Sequence, residues 1–177
     1  IMANTLFQGN NFNVTLFKGL LQAKEIHGGS HLIVEDINRQ PLSYRRLIMG
    51  SIILGRKLEK LTKKQEVVGL LLPNLSAAVV TFFGLQAYQR VAALLNFSTG
   101  AHNVSLACHT AQIKLVCTAR AFITAAKLQG MVDALSEKGI QIIYLEDLRK
   151  EVTIFNKMYA LLAMNFPRLF GLAHQEK

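Results

Sequence analysis

Apolar positions along this chain recur either at helical spacing or in short unbroken runs, and the two patterns alternate. Phe17, Leu20, Leu21 and Ile26 predict a helix from about 15 to 27. The run HLIV (31–34) predicts a strand, and EDINRQPLS (35–43) a turn. Ser43 is placed to cap a second helix to about Lys60, with Leu47, Ser51, Leu54, Gly55 and Leu58 on one face. EVVGLLL (66–72), VAALL (91–95), IKLVCT (113–118) and IQIIYL (140–145) predict further strands. Helices are expected between them, from Asn74 to about Gln89, from about Ala101 to Ala111, and from about 120 to 137. Val152, Phe155, Tyr159, Leu162 and Phe166 outline a final amphipathic helix.

Strands alternating with helices specify an α/β fold, a three-layer sandwich with a mostly parallel sheet covered by helices on both faces. The C-terminal ends of parallel strands then share one edge, where ligands of such folds bind. Asn74 falls on that edge, and its side-chain oxygen is expected to cap the helix that follows. The expected organisation is a lead over 1–14, one lobe over 15–166 and a tail over 167–177.

A membrane alternative arises because Arg90 is the only Lys, Arg, Asp or Glu between Val67 and Ile113. Pro73 and Asn74 interrupt the first apolar stretch, whereas a span needs about 20 apolar residues. The second stretch carries Asn96, Ser98, Thr99, Gly100, His102 and Asn103 in its middle, and lipid leaves such a polar loop unsatisfied. Buried strands followed by buried helices account for both stretches.

Composition sharpens the picture in three ways. Of 177 residues, 51% are hydrophobic and 18% charged, which supplies a core and excludes a disordered chain. Cys108 and Cys117 form no CxxC pair or disulfide framework, so a reducing, cytoplasmic setting is expected. The net charge of +9 favours acidic partners or a membrane surface. Ile1 precedes Met2, and IMANTLFQGNNFN lacks the basic-then-apolar signature of a secretory signal, so the chain reads as an excised piece.

Candidate chemistry is sparse. The chain contains neither GxxxxGK[ST] nor GxGxxG. Gly28-Gly29-Ser30 precedes a strand where a phosphate loop would follow one, so it reads as a helix stop. His27, His31, His102, His109 and His174 are scattered, and His27 and His31 straddle the glycines without sharing a helical face. Cys108 and His109 are helical neighbours that point apart, which reads as a packed thiol beside a surface imidazole. Glu35-Asp36 and Glu146-Asp147 read as loop or cap acids. No catalytic, cofactor-binding or metal-ligating residue is expected. The densest charge feature runs from Arg45 to Lys64, with Arg45, Arg46, Arg56, Lys57, Lys60, Lys63 and Lys64 against Glu59. A solvated helix face explains it. The sharper reading is a docking surface for an acidic protein or anionic lipid, met by Arg45, Arg46, Arg56, Lys57 and Lys60. Few aromatics interleave with these charges, so nucleic acid is not expected.

HLIVEDINRQPLSYRRL, VVGLLLPNLSAAVVTFFGLQAYQRVAALLNFSTG and TAQIKLVCTAR resemble the opening of the adenylate-forming superfamily of acyl-CoA synthetases, luciferases and peptide-synthetase adenylation domains. Within it, LLLPN, LQAYQRVAALLNFSTGAHN and AQIKLV look closest to the synthetase portion of the bacterial bifunctional 2-acylglycerophosphoethanolamine acyltransferase/acyl-acyl-carrier-protein synthetases. The resemblance spans roughly Thr15 to Lys150. It implies ATP-dependent activation, in which a fatty acid carboxylate attacks the α-phosphate to give an acyl-adenylate and pyrophosphate. Magnesium would balance the triphosphate, and the acyl group would pass to the thiol of an acyl carrier protein, then to a lysophospholipid. The parent would be cytoplasmic or associated with the inner membrane.

The family's Thr/Ser/Gly-rich phosphate loop with its Lys, its Tyr-Gly-x-Thr-Glu motif, its ribose-binding Asp and its mobile-domain Lys have no match here. The chain is therefore expected to be inactive alone, with ATP and magnesium belonging to the parent. Gln89 and Leu94 stand where the family commonly has glycine and proline, so the helix ending at Gln89 is expected to stop differently. A long-chain acyl-CoA ligase is the enzymatic alternative. A non-catalytic membrane-peripheral or protein-binding module is the other, and exposed apolar area predicts self-association in either case.

Overall fold

The computed structural model of the chain describes residues 14–36, 39 and 41–172. Residues 1–13 of the expected lead and the end of the expected tail, with His174, lie outside them. Three helix starts and stops follow the local sequence closely. Helix α1 (Leu16–His27) begins where the Thr15 hydroxyl accepts from the Lys18 amide, and ends at Gly28 with φ 85°. Helix α2 (Tyr44–Glu59) begins at Ser43, whose hydroxyl accepts from the Arg46 amide.

A four-stranded parallel sheet forms the centre, in the order β4-β3-β5-β6. Its strands are β3 (Val67–Leu71), β4 (Val91–Leu94), β5 (Leu115–Thr118) and β6 (Gln141–Tyr144). The HLIV run is a strand, β1 (Leu32–Val34), but it pairs antiparallel with β2 (Leu42–Ser43) in a separate two-stranded sheet. The expected turn over 35–43 therefore ends in a strand. Strand β2 leads straight into α2.

Side-chain alternation divides the core. Val68, Leu70, Leu115 and Cys117 face Leu58, Leu85 and Leu148. Leu71 and Val116 face the other way, against Val104, Cys108, Ile123, Val132 and Leu135. The first face is covered by α2, α3 (Ser76–Ala87) and α7 (Leu145–Lys150). The second is covered by α4 (Ala101–Thr110), α5 (Arg120–Ala125) and α6 (Gln129–Glu137). This is the expected three-layer α/β sandwich. A further layer lies outside it, because α1 and α8 (Ile154–Asn165) pack on α2 and α3 through Phe17, Leu20, Leu47, Ile48, Ala160 and Ala163.

The single helix expected over 120–137 is two. Lys127 takes a left-handed φ of 55°, and the Leu128 amide turns back to the Ile123 carbonyl. Gln89 adopts φ 61°, so a left-handed helix end forms without glycine, contrary to expectation. The expected last helix forms, with Phe155, Leu162 and Phe166 outward and Ala160, Ala163 and Met164 as its buried residues. Small residues let the helix approach α2, and the large ones are left outside.

Two buried contacts hold the first helical layer. A Cβ on Gly55 would stand 2.3 Å from the Gly84 carbonyl oxygen and 2.6 Å from the Tyr88 ring, so α2 and α3 cross with backbones in contact. The Ser51 hydroxyl donates to the Val80 carbonyl at 3.1 Å, and the Tyr88 hydroxyl to Ile52 at 3.3 Å, beside that crossing. Arg90, 5% exposed, donates to the carbonyls of Tyr88, Glu59 and Thr62 and to the Thr62 hydroxyl. Glu59 stands 3.9 Å from its guanidinium. One cation thus ties the end of α2 to the turn after α3. Burial pushes the Cys117 thiol up to about 12 and raises that of Cys108, so both are packing groups.

Replacing Gly55 by Ala forces those backbones apart and is expected to cost about 2–3 kcal/mol. Gly130→Ala, where nothing lies within 4 Å, is the control. It is expected to be neutral or to gain up to about 1 kcal/mol. Urea unfolding of both variants checks the pair, and a near-native Gly55→Ala would refute the crossing.

Candidate functional site

Strand β3 hands the chain to α3 on one face of the sheet, and its neighbour β5 hands it to α5 on the other. The connections diverge between these two strands, and ligands of open α/β sheets bind at such a point, outside the strand C-termini. The residues that arrive there are Leu72 to Ser76 after β3, Ala119 and Arg120 after β5, and Leu145 to Asp147 after β6. The Thr118 hydroxyl donates to the Leu71 carbonyl at 2.7 Å and joins the two central strands at their ends.

The local electrostatics of this edge are set by carboxylates. Asn74 does not cap α3, since the N-cap position is Leu75 and it makes no side-chain cap. Asp36 does that work from a distance in sequence, with its Oδ2 accepting from the Ser76 amide at 3.1 Å. Glu146 Oε1 accepts from the Ala121 amide at 3.4 Å, in the first turn of α5. Glu35-Asp36 and Glu146-Asp147 were expected as loop or cap acids, and Asp36 and Glu146 act as caps. Amide groups that attract phosphate in other folds here already meet negative charge.

Arg120 and Asp147 form a two-pronged ion pair at 2.8 and 2.6 Å across the same edge, with the guanidinium 4.1 Å from the centre of the Tyr144 ring. The hydrogen bonds from Arg120 hold the Asp147 carboxyl below its ordinary range. Two clefts flank the start of α3. One, of about 460 Å³, is lined by Asp36, Asn74, Ser76, Val79, Phe82 and Leu94. The other, of about 450 Å³, runs between α2, α3 and α7 and includes Arg46, Gly50, Lys57, Ser76, Leu148 and Arg149. Ser76 Oγ and Glu146 Oε2 are buried and have no hydrogen-bond partner among the described residues. Both follow strands of the central sheet, Ser76 at the start of α3 and Glu146 in α7.

The five basic residues expected as a docking surface are divided by the structure. Arg45 and Arg46 are exposed at the start of α2. Arg56 lies 3.6 Å above the Tyr159 ring, and Lys57 pairs with the Glu151 carboxylate at 2.9 Å and its carbonyl at 3.2 Å. Lys60 is exposed at the far end. Arg45 and Arg56 are eleven residues apart, about 16 Å along a helix axis. His27 and His31 stack with Tyr44, at ring separations of 6.1 and 6.2 Å. Cys108 is buried beside an exposed His109, as expected. Among the described residues no group of three or more His, Cys, Asp or Glu could hold a metal ion. The Asp36–Ser76 and Glu146–Ala121 contacts were missed because each joins segments distant in sequence.

No protein-family model matches this sequence. Solved structures share the fold. The complex of VinN with 3-methylaspartate matches with a TM-score of 0.66 at 18% identity, over 86% of this chain and 39% of that one. The inhibitor-bound N-terminal domain of FACL13 from Mycobacterium tuberculosis matches at 0.65 and 18%, over 77% of this chain and 35% of that one. O-succinylbenzoate coenzyme A synthetase (MenE) from Bacillus subtilis, in complex with AMP, matches at 0.63 and 17%, over 76% and 33%. At these identities the likeness is one of fold. The chain spans no more than 39% of the length of these three structures.

Because Asp147 ionises more readily when folded, its contribution to stability is present above its reference value of 3.8 and is lost as pH falls through the lowered one. Arg120→Gln is expected to return the Asp147 carboxyl upward toward that reference, followed by carboxyl carbon-13 shifts against pH. An unchanged titration would show that the ion pair does not form.

Proposed function

We propose that this chain is the first lobe of the N-terminal domain of an adenylate-forming ligase, and that the complete enzyme activates a fatty acid with ATP and magnesium and passes it to an acyl carrier protein. The observation that carries this reading is the parallel sheet in the order β4-β3-β5-β6, with helices on both faces, in a fold shared with coenzyme A ligase structures that include one bound to AMP. The matching stretches LLLPN, LQAYQRVAALLNFSTGAHN and AQIKLV support the carrier-protein branch and its link to lysophospholipid acylation. A long-chain acyl-CoA ligase differs only in the accepting thiol.

The same reading makes the chain inactive alone. The carboxylates of Asp36 and Glu146 occupy the amides at the diverging strand ends, so a triphosphate would need basic groups from elsewhere. Fatty-acid-dependent exchange between ATP and pyrophosphate tests this directly. It is expected to be absent from this chain and present in a longer chain that adds the phosphate loop. Exchange by this chain would reveal a complete active site, and silence from both would remove the ligase reading.

An acidic carrier protein would meet Arg45, Arg46 and Lys60, the exposed members of the expected basic surface. Arg45→Glu with Arg46→Glu is expected to weaken carrier-protein binding by the complete enzyme about tenfold, read by titration calorimetry at low salt. Unchanged affinity would place the docking surface elsewhere.

A further inference from the structure

Helix α8 is built inside out. Its buried residues are Ala160, Ala163 and Met164, whereas Ile154, Phe155, Met158, Leu161 and Leu162 are exposed, Phe155 by 75%. Steps of about 100° per residue put those five side chains on one outward arc. The stripe continues into the turn after the helix with Phe166 and with Leu169, 82% exposed. A surface helix of a self-sufficient domain carries its large apolar groups inward. An outward stripe of this extent marks a surface that something covers.

Charge selects the cover. From Val152 to Leu172 the sequence holds Lys157 and Arg168 and no acid. Both are exposed, as are Arg149 and Lys150 just before the helix, where the neighbouring acids Asp147 and Glu151 are paired with Arg120 and Lys57. Tyr159 sits at the border of the stripe with the Arg56 guanidinium 3.6 Å above its ring and Phe170 edge-on at 4.9 Å. An apolar arc bordered by an aromatic residue and cations, in a chain of net charge +9, suits a surface that is apolar below and anionic above. Twelve residues extend about 18 Å, too short to cross a bilayer, and no described helix is long and apolar enough to do so.

We infer that α8 and the turn after it form an interfacial membrane-binding surface, lying flat on an anionic lipid leaflet with Ile154, Phe155, Met158, Leu162, Phe166 and Leu169 among the acyl chains.

The test is co-sedimentation of this chain with vesicles of phosphatidylcholine carrying increasing phosphatidylglycerol, in low salt. Saturable binding that grows with phosphatidylglycerol and weakens with added salt is expected. Met158→Glu combined with Leu162→Glu, at exposed positions, should lower the partition about tenfold or more while leaving circular dichroism and melting unchanged. A chain that stays in solution at every lipid composition overturns the inference, as does a double variant that binds like the original. Equal binding to phosphatidylcholine alone overturns the anionic assignment. A dimer in sedimentation velocity that ignores vesicles and is abolished by the double variant identifies a second copy as the cover. Binding by this chain but not by a longer one identifies the rest of the polypeptide instead.

Discussion

The backbone contact between Gly55 and Gly84 sets the spacing of everything built on the first face of the sheet. It brings α2 and α3 so close that neither glycine has room for a Cβ, with α1 and α8 stacked on one side and Leu58 and Leu85 packed against the sheet on the other. Ser51, one turn before Gly55, uses the same proximity to satisfy its hydroxyl on the Val80 carbonyl. A hydroxyl with no exposure is tolerated there because the facing carbonyl is within reach.

Arg90 is the second constraint, and it explains how a stretch otherwise free of acidic and basic residues can contain one. Its guanidinium is spent on backbone carbonyls at the end of α2 and in the turn after α3, where helix ends leave acceptors without partners. The carbonyls gain donors, and the cation gains the negative end of a helix. A methionine of similar length would fill the space and leave those oxygens bare. Charge in this core serves chain reversal and not chemistry.

Much of this was readable in the sequence, and what was not has identifiable causes. Five of the six described strands and the helix starts at Thr15 and Ser43 follow from local periodicity and caps, and β2 was hidden inside a turn. Asn74 had the right residue type for a cap, but Asp36 reached the helix first, by a contact forty residues long in sequence that no local pattern encodes. Lys127 and Gln89 accept left-handed backbones because the surrounding packing fixes their chain reversals, so residue type alone misled. The packed face of α8 was not legible because hydrophobicity ranks Phe155 and Leu162 above Ala160 and Ala163, whereas close packing on α2 selects the small pair. The site edge was recognisable as an edge, but its carboxylates and its two unpartnered oxygens emerge only from tertiary contacts.

The left-handed turn at Gln89 has a counterpart at Gln65, φ 61°, on the approach to β3. The Gln65 amide donates to the Gln89 carbonyl at 2.7 Å, and the Val91 amide to the Glu66 carbonyl at 3.0 Å. The two loops are therefore bonded to each other before the strands they feed have begun. A slip of β3 by one residue would turn Val68 and Leu70 away from their helices, and the paired glutamine turns forbid it at the outset. The alignment of β3 with β4 is set like the first teeth of a zip, by a clasp outside the sheet.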